Sequence, residues 1–176
     1  MAVPTEMDVW QGEIAELEVD ALIVPANESL FMTIPVTRAV KRYSGEAIER
    51  DAVDQGPIEA GSAVVTGGGN LAAPYIIHTV AVGHDLQPDA DRVRRALHAA
   101  LEIAARLGLH RLAIAPIGID RGVFTADEAA GLLAEVLSER STAGDPLPSS
   151  LVVATGGPAE AASYHAALEP LRTVPR

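Results

Sequence analysis

The stretch that decides the fold is VDALIVPANESL, residues 19–30. It opens with a continuous apolar run, which is typical of a strand covered on both faces of a sheet. The run stops at Pro25, which has no N–H to donate to a neighbouring strand and therefore belongs at a strand end. Asn27 follows where an α/β sheet presents its ligand crevice, although an Asn after a strand often only turns the chain. The stretch predicts a buried central strand that leads into a candidate binding loop.

The composition predicts one folded domain over residues 1–176. The chain has 176 residues, 48% of them hydrophobic, and a mean hydropathy of +0.20, so it can bury a full core. Its 13 Lys and Arg against 24 Asp and Glu give a formal net charge of −11. Because nucleic acids and membrane surfaces are bound largely through basic residues, we expect neither as a partner.

The residue types also limit the chemistry. There is no cysteine, which excludes disulfides and thiol nucleophiles. The first residues lack the basic and apolar segments of a signal peptide, and no apolar run is long enough to cross a membrane. We therefore expect a cytoplasmic protein with no metal and no cofactor.

Strand and helix patterns alternate along the chain. Strands are predicted at residues 7–10, 19–25, 63–65, 75–82, 111–117 and 151–154. Helices are predicted at residues 35–53 with a break at Gly45, at 88–107, from a capping box at Thr125 to about Arg140, and at 158–171. Three glycines at 67–69 lack the Lys-Ser/Thr pair of a P-loop and predict a plain hairpin connection. The alternation predicts an α/β fold, a three-layer α/β/α sandwich with a mostly parallel mixed sheet.

Ligands of such sheets bind at the carboxyl ends of the strands. Two loops at predicted strand ends carry residues suited to binding, namely residues 27–35 and residues 118–124. These two loops are the candidate site.

The motifs around these loops resemble those of a macrodomain, the family that binds ADP-ribose and its derivatives. GEI at 12–14 followed by VDALIVPAN at 19–27 is similar to the family's GDI and VDAIVNAAN motifs. Residues 59–79 resemble the next two strands, and residues 116–124 resemble the second phosphate loop. The resemblance implies a small ADP-ribose-like ligand or an ADP-ribosylated protein as partner.

The resemblance also implies roles for individual residues. Glu13 stands where an Asp accepts a hydrogen bond from the adenine amino group, and Ile14 would pack near the adenine. Asn27 matches the Asn that binds the distal ribose and orients it for cleavage in hydrolytic members, so it is the one candidate catalytic residue. The phosphate loops supply the remaining candidates, which are Ile34, Val36, Gly118, Asp120, Arg121, Gly122, Val123 and Phe124.

The first phosphate loop departs from the family. Where the family has glycines that let backbone N–H groups approach the diphosphate, residues 32–35 read MTIP. Thr and Ile carry bulk, and Pro35 has no N–H. We expect these side chains, Ile34 above all, to settle into the groove, so that replacing Thr33, Ile34 and Pro35 by glycine tightens binding. At the position where many hydrolytic members have an Asp, this chain has Thr37, which cannot serve as a general base near neutral pH.

The second phosphate loop departs through its charge. Asp120 would place a carboxylate near a diphosphate, and a like-charge contact at ~4 Å costs up to about 4 kcal/mol at an effective dielectric constant near 20. Arg121 would either turn inward to grip the phosphate or pair with Asp120 in solvent. The sequence leaves both arrangements open.

Three functions follow, in order of preference. The first is a module that binds ADP-ribose or a related nucleotide, weakly. The second is an interaction module whose pocket is occluded by residues 32–35. The third is an ADP-ribosyl hydrolase that acts through Asn27.

Overall fold

The structure is a computed structural model that describes residues 5–172. Its strands are β1 (Glu6–Gln11), β2 (Ala21–Pro25), β3 (Ser62–Gly67), β4 (Tyr75–Val80), β5 (Arg111–Ile114) and β6 (Ser150–Thr155). Its α-helices are α1 (Pro35–Ser44), α2 (Ala47–Val53), α3 (Ala90–Arg106), α4 (Ala126–Ala143) and α5 (Pro158–Leu168). Short 3-10 turns lie at Ile14–Glu16, Asp120–Gly122 and Glu169–Leu171.

The strands form one six-stranded sheet in the order β1-β6-β5-β2-β4-β3. All neighbours pair in parallel except β3, which pairs antiparallel with β4. The apolar run in residues 19–30 forms β2, which lies between β5 and β4. Pro25 ends this strand, as predicted. Because the other five strands run in one direction, their carboxyl ends meet at one edge of the sheet.

Helices cover both faces of the sheet. In β2, Ala21 and Ile23 face a core formed with α3, α4 and α5, whereas Leu22 and Val24 face a second core formed with α1 and α2. All four side chains are fully buried, which is why the run is apolar without alternation. The predicted three-layer α/β/α sandwich is confirmed.

Most element boundaries lie within a few residues of those predicted, and two differences have a clear cause. The strand predicted at 111–117 ends at Ile114, because the chain reaches Pro116, which has no N–H for the ladder. Helix α4 continues past Arg140 to Ala143. The buried Arg140 guanidinium donates to the Pro146 carbonyl at 3.0 Å, and Gly144 ends the helix at φ +77°.

The glycine-rich segment is a hairpin connection, as predicted. It joins the antiparallel pair β3 and β4. At Gly69, φ is +57°, and a Cβ atom would lie 2.2 Å from the Ser44 carbonyl oxygen. Glycine is required there by the close approach of α1, so Gly69 serves packing.

His78 is a core residue of β4. It is 1% exposed, and its Nε2 lies 2.9 Å from the Thr66 hydroxyl. Its Nδ1 has no hydrogen-bond partner within residues 5–172. Burial lowers the pKa of His78 to about 4, so the ring is neutral at physiological pH.

Among the helices of residues 5–172, none combines the length and apolar character needed to cross a membrane.

Candidate functional site

A cleft of about 640 Å³ lies over the carboxyl ends of the parallel strands. Its lining includes residues that follow β1, β6, β5, β2 and β4, in the order of the sheet. Four strand spacings give it a span of roughly 19 Å. Helix α1 forms one wall, through its N-terminal turn and through Ala39 and Arg42. The cleft therefore has a β1 end, a centre beside β5 and β2, and a β4 end.

The β1 end is acidic. Glu13 follows β1 and is exposed, and Ile14 begins the next 3-10 turn and is buried. Both line the cleft, as does Glu160 of α5, whose Oε1 accepts a hydrogen bond from the Gly156 N–H at 3.3 Å. Arg42 of α1 also lines the cleft, and α1 packs on the Ile14–Glu16 turn. The arrangement offers carboxylate acceptors to a ligand that presents N–H groups.

Asn27 lies at the centre of the cleft, directly after β2. Its Nδ2 donates to the Phe31 carbonyl at 3.0 Å and to the Thr33 hydroxyl at 3.4 Å, which fixes the amide. Its Oδ1 is buried and has no donor within residues 5–172. Asn27 thus braces its own loop and keeps one acceptor without a partner.

The expectation that residues 32–35 fill the groove is wrong. Met32 points away from the cleft into the core beneath α1 and α2, and it is 2% exposed. Its N–H donates to Glu49 Oε2 at 2.7 Å, which ties the loop to α2. Thr33 and Pro35 are exposed, and Ile34 is half-buried along the wall. The bulky residues line an open cleft because Met32 anchors the segment from below.

Helix α1 begins at this wall. Ile34 is its N-cap residue and Pro35 its first helical residue, with Val36 half-buried beside them. All three line the cleft, so the helix presents its N-terminal turn to it. Thr37 is 1% exposed, and its hydroxyl donates to the Ile34 carbonyl at 3.0 Å. Thr37 is therefore a local brace outside the cleft lining.

The second loop divides into two sets of candidate residues. Asp120 and Arg121 line the cleft, together with Ile119. The remaining candidates form the frame of the loop and do not line the cleft: Gly118, Gly122, Val123 and Phe124. The Phe124 N–H donates to the Gly118 carbonyl at 3.1 Å, and the Phe124 ring packs against the core. Arg121 has φ +54°, a conformation that costs a non-glycine residue about 1–2 kcal/mol.

Asp120 and Arg121 do not pair closely. No ion pair within 4.0 Å joins them in the described part of the chain, and the Arg121 side chain is exposed. Burial raises the pKa of Asp120 to about 6, and the positive charge of Arg121 only partly offsets this effect. Asp120 is therefore a half-buried carboxyl that faces the cleft without an ion-pair partner within 4.0 Å among residues 5–172.

The β4 end of the cleft was not predicted. It is lined by Val82, Gly83, His84 and Leu86. Glu28 holds this loop in place, because its Oε2 accepts from the His84 N–H at 2.9 Å and lies 3.4 Å from the ring Nδ1. Leu86 is 39% exposed at φ +53°. Ligands of such sheets bind at the carboxyl ends of the parallel strands. Applied to β4 and β6 as well as to β2 and β5, this rule would have predicted His84 and Gly156 as site residues.

Among residues 5–172, no group of three or more His, Asp or Glu side chains could hold a metal ion. The cleft offers an amide, a few carboxylates, an N-terminal helical turn and two arginines. These groups suit the recognition of a polar ligand that carries both hydroxyl groups and negative charge.

Comparison with known proteins identifies relatives of the whole arrangement. A family model described as Macro domain matches residues 23–133, more than half of the chain. An uncharacterized protein of Aquifex aeolicus is 35% identical over 131 residues, which are 74% of this chain and 79% of that protein. An uncharacterized protein of Mycobacterium tuberculosis is 32% identical over 73% of this chain, but the match spans only 36% of the mycobacterial protein.

Solved structures share the fold at low sequence identity. The Oceanobacillus iheyensis macrodomain with ADP has a TM-score of 0.83 at 19% identity, covering 97% of this chain and 94% of that one. The Trypanosoma brucei macrodomain in complex with ADP-ribose has a TM-score of 0.81 at 20% identity, covering 93% of this chain and 69% of that one. The family model, which matches more than half of the chain, shows that this chain belongs to the Macro domain family.

Proposed function

We propose that the cleft binds ADP-ribose or a related nucleotide derivative, either free or attached to a protein. The observation that carries this proposal is the open cleft of about 640 Å³ across the strand ends, with its unpartnered Asn27 acceptor. The macrodomains of similar fold were solved with ADP and with ADP-ribose, which supports a nucleotide of this class.

The groups along the cleft match the parts of such a ligand. The Glu13 carboxylate is an acceptor for an adenine amino group, and Ile14 offers an apolar surface beside it. The N-terminal turn of α1 and the second loop flank the centre, where a diphosphate would lie. The buried Oδ1 of Asn27 lacks a donor, and a ribose hydroxyl supplies one.

We propose that the affinity is weak, for reasons of charge and missing donors rather than occlusion. Pro35 has no N–H at the first helical position of α1, so the helix offers one donor fewer to a phosphate. Asp120 adds a carboxylate to the wall that would face the diphosphate. The open cleft removes the reason for an occluded interaction module.

We further propose that hydrolysis is absent or slow. Thr37 does not line the cleft, and its hydroxyl is engaged with the Ile34 carbonyl. Asn27 cannot act as a general base, because an amide does not accept a proton near neutral pH. The test is release of ADP-ribose from an aspartyl- or glutamyl-modified protein. Efficient release by the wild type that is lost in Asn27→Ala would overturn this part of the proposal.

Calorimetric titration with ADP-ribose, AMP and ribose 5-phosphate tests the binding proposal. We expect ADP-ribose to bind more tightly than either fragment, because it alone reaches both the β1 end and Asn27. Equal affinities for ADP-ribose and ribose 5-phosphate would contradict a nucleoside subsite, and no detectable binding of ADP-ribose would contradict the proposed function.

Glu13→Ala tests the orientation of the ligand. We expect it to weaken ADP-ribose binding by about 1.5–3 kcal/mol, the range for a hydrogen bond to a charged group. Glu18→Ala is the matched control, because Glu18 is exposed and lies outside the cleft lining. Wild-type affinity in Glu13→Ala would show that this residue only turns the chain.

A further inference from the structure

The Asp120 carboxyl is the one group of the cleft whose charge opposes the proposed ligand at its centre. It lines the cleft from the 3-10 turn Asp120–Gly122, and among residues 5–172 Arg121 is the charged residue that acts on it. No hydrogen bond to the carboxyl is found within residues 5–172. A partly desolvated carboxylate that accepts no hydrogen bond is only partly neutralised by the charge of Arg121.

The backbone of the loop cannot hide this carboxyl from a ligand. The N–H groups of Gly122, Val123 and Phe124 donate to carbonyls of the same loop at 3.0, 3.2 and 3.1 Å. These residues form the frame, whereas Ile119, Asp120 and Arg121 face the cleft. An anion that approaches the loop from the cleft therefore meets the face that carries Asp120.

The other charged groups of the cleft lie on other elements. Arg42 stands on α1 and Glu13 follows β1, both at the β1 end. Glu160 of α5 accepts from the Gly156 N–H, and His84 of the β4–α3 loop pairs with Glu28 at 3.4 Å. Tyr164 of α5 is buried, and burial raises the pKa of its hydroxyl, so it adds no charge near the loop at neutral pH. Arg121, in the same loop, is the nearest cation, and its side chain is exposed.

We infer that Asp120 makes the cleft select its ligand by phosphate charge, favouring a diphosphate esterified at both ends over a nucleotide that ends in a free phosphate. This inference rests on the proposed function. In a diphosphate with two esters, each phosphate carries one negative charge, whereas a terminal phosphate carries about 1.5 to 2 at pH 7. The additional charge meets the Asp120 carboxylate in a partly desolvated site, where repulsion is stronger than in water.

The test compares ADP-ribose with ADP, which a solved neighbour held. Wild type and Asp120→Asn are titrated with both ligands at pH 7.5 and fixed ionic strength, after thermal unfolding has shown that the variant is folded. The quantity measured is the ratio of the two affinities, ADP-ribose over ADP. Because contacts to the distal ribose contribute equally in both proteins, a change in the ratio reports the effect of charge at the loop. We expect the ratio to fall about tenfold in Asp120→Asn.

Asp145→Asn is the matched control. Asp145 is exposed beyond the end of α4 and lies outside the cleft, and its replacement removes the same net charge. We expect this variant to keep the wild-type ratio. If Asp120→Asn does not fold, Asp120→Ser takes its place. A second arm repeats the titrations at pH 5.5 with both proteins, because the terminal phosphate of ADP also takes up a proton in this range. The ratio should fall more in the wild type than in Asp120→Asn.

The outcomes separate this inference from the proposed function. Binding of ADP-ribose with an unchanged ratio in Asp120→Asn overturns the inference alone. An equal fall in Asp145→Asn also overturns it, since the effect would then come from net charge. If neither the wild type nor Asp120→Asn binds ADP-ribose or ADP at pH 7.5 or 5.5, the proposed function and this inference are both overturned.

Discussion

The two loops that flank the centre of the cleft differ in what their side chains contribute to it. The first, residues 32–35, carries bulky side chains, yet leaves the cleft open because Met32 is buried in the core. The second, residues 118–124, keeps a glycine-based frame but places the Asp120 carboxyl in the cleft wall. A bulky side chain in a binding loop leaves the cleft open when it packs into the core. A carboxyl in the cleft wall acts on the ligand through its charge, even when the backbone of its loop is held by glycines.

The largest expected effect tests the anchor of the first loop. Met32→Ala should lower the free energy of unfolding by about 2–5 kcal/mol, because it leaves a cavity in a packed core. Phe31→Ala is the control, since Phe31 is the adjacent residue but is 49% exposed, and it should change stability by no more than about 0.5 kcal/mol. Chemical denaturation measures both. Equal effects would show that Met32 does not anchor the loop.

The next effect concerns the link between the first loop and α2. Glu49 accepts from the Met32 N–H at 2.7 Å and from Lys41 Nζ at 3.1 Å. Glu49→Ala should therefore cost about 1–3 kcal/mol of unfolding free energy, since it leaves both donors without this acceptor. Glu46→Ala is the control, because Glu46 lies 3.7 Å from the same lysine and its side chain is 82% exposed. A loss as large in Glu46→Ala would mean that the ion pair, not the tie to Met32, matters.

A smaller effect on the free energy of unfolding is expected from the charge of Asp120 in the second loop. The pKa of Asp120 is raised to about 6 from 3.8, chiefly by burial, so the folded protein holds this proton more tightly than the unfolded chain. The protonated Asp120 carboxyl therefore stabilises the folded state relative to the ionised one. This stabilisation is fully present below about pH 4 and is lost as the pH rises through about 6. At pH 7.5, Asp120→Asn should be more stable than the wild type by about 1–2 kcal/mol, and this gain should shrink by pH 4.

Denaturation at several pH values measures this gain, with Asp145→Asn as the control that should lack it. A gain in Asp120→Asn that does not change with pH would contradict the assignment to the carboxyl.

The smallest effect is expected for the glycine replacement that the sequence predicted to tighten binding. Because the cleft is open, replacing Thr33, Ile34 and Pro35 by glycine should improve ADP-ribose affinity by at most about threefold. The restored N–H at position 35 contributes a weak hydrogen bond, and the added flexibility of glycine opposes it. Titration of the folded variant beside the wild type decides the point. A gain of tenfold or more would show that bulk, rather than charge, limits binding.

The sequence by itself determined the elements and their layering. The unbroken apolar run before Pro25 predicted a strand buried on both faces, and Thr125 and Glu128 predicted the start of α4 through a capping box that the structure contains. These features are local, because a strand or a helix start depends on residues within a few positions of each other. The same local reasoning placed Asn27 and Asp120 in loops at strand ends, where the cleft lies, and the family resemblance added Glu13.

Only the tertiary structure decided whether the cleft was open and how its charges were paired. The Met32 side chain points into the core beneath α1 and α2. That part of the core is formed by segments that are distant from Met32 in the chain. Glu160 and His84 reach the cleft because β6 and β4 end beside it, which follows from the strand order rather than from any motif. The pKa of Asp120 depends on its burial, and burial is a property of the whole packed chain.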